Sequence, residues 1–234
     1  MRCLRNYAAK RLLLLSIAAA LCACTMTPPS GPVAGKAYFT QVGCASCHRV
    51  GGEGNSGGPD LTLVGWRHSP QWLDLWLQDP QAWKADSMMP NKRLSPAARA
   101  AIVSYLATLK GQDWPKGGRP WDALGDPLER GRKIYLSAGC VACHGAGGVG
   151  GFPNNNVAGG KIPALDKVSE TFTKMELIAK IKRGVASPAR ADAKGPAPLV
   201  WMPAWSEVLD DAEIEAVAAY LLSLKPKNSE KSDW

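Results

Sequence analysis

A chain that carries Cys44-Ala45-Ser46-Cys47-His48 and later Cys140-Val141-Ala142-Cys143-His144 has little freedom in what it can fold around. Cys-x-x-Cys-His is the attachment pattern for a c-type haem. The spacing has a chemical reason. Two thiols three residues apart can each add to one vinyl group of the same porphyrin, forming two thioethers. The next residue then sits under the iron, where an imidazole nitrogen becomes the proximal ligand. The sequence has 3 histidines, and two of them close these motifs. A zinc site and a redox dithiol are the competing readings; zinc needs four ligands, and each cluster offers three. The expectation is two covalently bound haem c groups, held by Cys44, Cys47, Cys140 and Cys143, with His48 and His144 on the irons.

The other cysteines, Cys3, Cys22 and Cys24, crowd the N-terminus. None is left in the body for a structural disulfide, a thiol nucleophile or a thiolate iron ligand. Arg2, Arg5, Lys10 and Arg11 precede a short apolar run from Leu12 to Ala20, which reads as a secretory signal too short to span a membrane comfortably. Leu21-Cys22-Ala23-Cys24 resembles a bacterial lipobox, which implies removal of residues 1–23 and acylation of Cys24. Several acyl chains there would anchor the protein stably to a lipid membrane. Thr25 in place of an acidic residue leans towards the outer membrane. A plain signal peptide or an uncleaved anchor is the alternative. The chain is thus expected outside the cytoplasm, on the periplasmic side. The formal charge of +8 includes four positive and no negative charges in that leader, so the mature chain carries +4. Four haem propionates would cancel most of it, and nucleic acid is not implied as a partner.

The chain of 234 residues then reads twice over. A proline-stiffened tether, 24–34, leads into a first domain at 35–110. There Gly35 to Phe39 opens a helix that delivers Gly43 and Cys44, and a glycine-rich loop runs to Pro59-Asp60-Leu61. Ser69-Pro70 and Ser95-Pro96 each start a helix with an N-cap and a proline. Trp72 and Trp76 share one face, Asp79-Pro80 ends that helix, and the last helix reaches Lys110 with Gly111 as its stop. A linker at 111–127 contains Trp114 and Trp121, expected to pack between domains. The second domain, 128–225, repeats the order: Gly131 to Tyr135, Gly139, Pro163-Ala164-Leu165, a middle helix over 173–183, Met202-Pro203, and a last helix capped by Asp210 and Glu213. Such agreement in order indicates internal duplication. Residues 226–234 form a polar tail.

Together these elements resemble the class I cytochrome c family, in two tandem copies covering nearly all of the mature chain. The resemblance implies an all-α fold, each domain a few helices wrapped round one haem. First and last helices would cross where Gly35 and Phe39 meet Tyr105, and where Gly131 and Tyr135 meet Tyr220. Domains this small bury a modest core, so the covalently held cofactor is expected to supply much of it. Met89-Pro90 and Met202-Pro203 fill the family's Met-Pro position, which makes Met89 and Met202 the distal iron ligands; Met88 is the alternative to Met89. A thioether opposite His raises the reduction potential. Pro59 and Pro163 are the carbonyls implied to accept the proximal His Nδ1–H. Met175 is expected in the core, and His68 at the surface or in a cap.

With both irons closed by His and Met and no acid–base constellation beside them, the expected function is one-electron transfer between a redox donor and acceptor. A dihaem peroxidase or thiosulfate-oxidising cytochrome is the enzyme alternative. A third reading makes the chain a lipid-anchored subunit of a respiratory or photosynthetic complex, with the Trp-rich first domain as its docking surface.

Overall fold

The computed structural model describes residues 28–114 and 118–225. The signal, the lipidation reading of Cys24, the tail and residues 115–117 lie outside the described residues. Helix α1, Gly31–Gln41, starts earlier than the sequence suggested. Gly31 to Ala34 is its first turn rather than the end of a tether. Pro32, read as a stiffener, instead starts the helix: its fixed φ and missing N–H suit the first turn, where the N–H has no partner anyway. After Cys44 to His48 the chain makes a short antiparallel ladder, β1 (Arg49–Val50) with β2 (Glu53–Gly54). Helices α2 (Val64–Arg67), α3 (Pro70–Gln78), α4 (Pro80–Trp83) and α5 (Pro96–Leu106) complete the first half. Ser69, Asp79 and Ser95 cap α3, α4 and α5, so Asp79-Pro80 ends one helix and begins the next. Helix α5 stops at Leu106, short of Lys110. The following turn is drawn onto the 62–65 loop, where Gly65 N–H donates to Leu109 O at 2.9 Å and Gly111 N–H to Thr62 O at 3.0 Å.

In the second half α6 (Pro127–Ile134) runs on into a π-helical turn, Tyr135–Gly139, that delivers Cys140 to α7 (Val141–His144). Then come α8 (Val168–Thr171), α9 (Lys174–Arg183) and α10 (Asp211–Ser223). Capping boxes open α9 at Thr173 and Glu176 and α10 at Asp210 and Glu213, the latter as expected. The fold is all-α apart from the two-residue ladder.

Each half is built on one helix crossing. Helix α1 meets α5 at Gly35, where a Cβ would lie 2.0 Å from Ala101 O, and α6 meets α10 at Gly131, 2.0 Å from Ala216 O. No side chain fits at either point. Phe39 packs edge-on against Tyr105 with centroids 5.6 Å apart, and Tyr135 lies 5.4 Å from Tyr220. The two cores also interlock. Phe152 and Val200 join the first core, and Leu63 joins the second. Linker residue Trp121 is fully buried there, and its indole N–H donates to buried Glu213, which also pairs with Arg119 at 2.6 Å.

Three expectations are corrected. The tryptophans do not stand free on the surface: Trp72 stacks on Trp76 at 5.4 Å, Phe152 packs on both at 6.3 and 5.9 Å, and Trp83 donates to Pro153 O. Met175 is 81% exposed on the outer side of α9, whose inward face is made by Leu177 and Ile181. His68 is only 5% exposed, because its ring stacks on Trp72 with centroids 3.8 Å apart.

Burial, reinforced by neighbouring Arg67, holds the His68 imidazole well below its usual value of 6.5. In the folded chain it is therefore neutral where the unfolded chain binds a proton. Stability rises with pH across that interval and is lost as pH falls from about 6.5 towards the depressed value, with a slope of up to about 1.4 kcal/mol per pH unit. His68→Gln should flatten that part of a denaturation-versus-pH curve; an unchanged curve would assign the slope elsewhere.

Candidate haem sites

In the first half, the helix-delivered Cys44 is half-buried against the core while Cys47 is exposed. Burial pushes the Cys44 thiol up, so it is held protonated until it is joined to a porphyrin. His48 Nδ1 lies 2.8 Å from Pro59 O. That carbonyl can only accept, so Nδ1 carries the proton and Nε2 is left with its lone pair. Gly58 lies flat against the ring; a Cβ there would come within 2.7 Å of His48 Cε1. Met89 packs partly buried on the same core as Cys44. Its Sδ accepts from Trp76 Nε1–H at 3.0 Å, and its carbonyl accepts from Gln81 Nε2 at 2.7 Å. Met88 points outward, 92% exposed.

In the second half, Cys140, Cys143, His144, Pro163 and Met202 all line one cavity of about 690 Å³. Its walls are mainly apolar, among them Leu165, Val168, Leu177, Ile181, Trp205 and Val217. Desolvation pushes the Cys140 thiol up to about 12 and raises Cys143 as well. Burial lowers His144, partly opposed by its hydrogen bond to Pro163 O at 3.3 Å, so its imidazole is neutral. Met202 is pinned through its backbone, since Val185 N–H donates to Met202 O at 2.7 Å. Buried Asn154 grips the loop two residues before it, donating to Val200 O at 2.8 Å and accepting from Val200 N–H at 3.2 Å.

The donor set is two thiols, an imidazole and a thioether around an apolar slot in the size range of small-molecule sites. That suits a flat, largely apolar macrocycle carrying an iron. Among the described residues no group of three His, Cys, Asp or Glu is placed to hold a bare metal ion. The family model for cytochrome c matches residues 32–110 and again 128–225. The chain belongs to the cytochrome c family. It is a tandem class I cytochrome c and carries two covalently bound haem c groups. It is similar to the cbb3-type cytochrome c oxidase subunit FixP of Bradyrhizobium diazoefficiens, 29% identical over 210 residues, covering 81% of this chain and 60% of that protein. The CcoP subunit of an Azospirillum species is 25% identical over 205 residues, covering 81% and 61%. A shorter likeness, 33% over 85 residues, reaches cytochrome c oxidase subunit 2 of Alkalihalophilus pseudofirmus, covering 32% of this chain and 25% of that one. This cytochrome therefore spans about 60% of the length of the FixP and CcoP relatives it matches.

Two parts of the sites escaped sequence reasoning. Asn154 sits in an Asn-Asn-Asn run whose side chains all bond the 192–200 segment, and that run was its only sequence signal. Arg67, from α2 of the first half, lines the second cavity, and no motif announced it.

Proposed function

We propose that this cytochrome passes single electrons between redox partners, as a carrier or as a subunit of a respiratory oxidase, from an exported position anchored through acylated Cys24. The observation that supports the reading is that His144 and Met202 line the same cavity as Cys140 and Cys143; with both on the iron, no coordination place would remain for a substrate. Cys44, Cys47, Cys140 and Cys143 hold the cofactors. His48 and His144 serve as proximal ligands, each oriented by the carbonyl of Pro59 or Pro163. Met89 and Met202 serve as distal ligands. Bound haem supplies the Fe(III)/Fe(II) couple; the chain sets its potential, excludes water and fixes its position. The FixP and CcoP likeness supports a place in an oxidase complex. Among the described residues no helix is long and apolar enough to cross a membrane.

Anaerobic reductive titration should take up two electrons per chain, and ferricyanide should withdraw both. Turnover of hydrogen peroxide by the resting protein would favour the enzyme reading instead. The distal assignment has its own test. Met89→Ala should remove the first haem's share of the sulfur-to-iron charge-transfer absorption, while Met88→Ala, at an exposed position, should leave it whole. The reverse pattern would move the ligand to Met88.

A further inference from the structure

Arg67 is 4% exposed, yet no carboxylate lies within ion-pairing distance of it among the described residues. Its partners are two carbonyls. Nη1 donates to Gly139 O across the domain junction at 3.0 Å, and Nη2 donates to Asp60 O at 2.9 Å. Nε is buried with no partner at all. The side chain leaves the first half and lines the second cavity beside Cys140 and Cys143. Gly139 is shaped to admit it. At φ +94 its absent Cβ would lie 2.4 Å from the Arg67 Cζ. A buried cation is costly unless something offsets it, and neutral carbonyls alone are a weak offset. The arrangement is thus a positive charge that one domain inserts beside the two cysteines of the other domain's attachment motif.

We propose that Arg67 is a cross-domain charge that raises the reduction potential of the second haem relative to the first. This rests on the second haem occupying the cavity lined by Cys140, Cys143 and His144. The sign follows from charge. Ferric haem carries one more positive charge than ferrous haem, so a nearby cation disfavours the oxidised form. In a poorly solvated site that interaction is weakly screened. The effect also couples the halves, because the charge belongs to the first and the consequence to the second.

The test uses the full holoprotein as wild type, Arg67→Lys and Arg67→Gln. Each haem's midpoint is followed separately through its methyl proton resonances during a redox titration. Arg67→Gln should lower the second haem's midpoint by about a tenfold change in its reduced-to-oxidised ratio, about 59 mV for one electron. The first haem should shift less. Arg67→Lys keeps the charge and should keep most of the potential. Should Arg67→Gln fail to assemble, Gly139→Ala crowds the guanidinium out of its place and should lower the same midpoint. An unmoved second-haem midpoint, or equal shifts in both haems, overturns the proposal. A wild-type pyridine haemochrome count below two haems per chain would instead overturn the cavity assignment beneath it.

Discussion

Gly131→Ala is expected to cost the second half most of its stability. The added Cβ would stand 2.0 Å from Ala216 O and 2.5 Å from Ala216 C, both backbone atoms of α10, which cannot rotate aside. The Tyr220 Cβ is 3.0 Å away on the same helix. Relief therefore requires the two helices to separate, which would loosen Ile134, Tyr135 and Val217, all almost fully buried at this crossing. Overpacking in well-filled cores costs about 1–3 kcal/mol and sometimes more; here, with backbone on the far side, the upper end is expected. For a domain of this size that corresponds to a fall in Tm of roughly 10–20 °C. Thermal unfolding followed through the haem absorption should show a lower Tm, with the second haem's signal lost first. Gly35→Ala, whose Cβ would meet Ala101 O at the same 2.0 Å, should reverse the roles. A loss below about 1 kcal/mol in either variant would mean that the crossing is looser than the structure has it.

Met202→Ala should change the chemistry more than the fold. The backbone of residue 202 is held by Val185 and, two residues upstream, by Asn154, and neither contact uses the thioether. With Met202 as the proposed distal ligand, truncation should open that side of the second iron while the loop stays in place. The sulfur-to-iron absorption of that haem should disappear. Its midpoint should drop on the order of 0.1–0.3 V, within the roughly 0.8 V range that axial ligands command. Small ligands such as cyanide should then bind at once, and peroxide should be turned over where the wild type is inert. A variant that keeps its midpoint and still refuses cyanide would show that another group holds the iron.

The two attachment motifs, the repeat and most caps were legible because they depend on neighbours in sequence. Ser69, Ser95 and the Asp210–Glu213 box reveal themselves by side chains reaching backbone N–H groups three residues on. The glycine crossings were legible through the resemblance, and the structure gives their reason, a backbone carbonyl where a side chain would begin. Where the reading failed, long-range contact decided. His68 follows a short helix and precedes a cap, a local setting typical of surface residues, but Trp72 stacks on it. The tryptophans of α3 looked available until Phe152, from the other half, was laid across them. Met175 went the other way, since α9 turns Leu177 and Ile181 inward and leaves that position in solvent. Arg67 was illegible for the same reason: a charged residue at the end of a four-residue helix acquires meaning only from Gly139, far along the chain.

The central claim is that both irons are closed on both sides, so that electrons are what the protein handles. The most direct measurement is the coordination and spin state of the resting ferric protein, taken with its haem count. The proposed ligation predicts two haems per chain, both low-spin and six-coordinate, with sulfur-to-iron absorption from each. A high-spin, five-coordinate iron at either site that turns over a small molecule would contradict it.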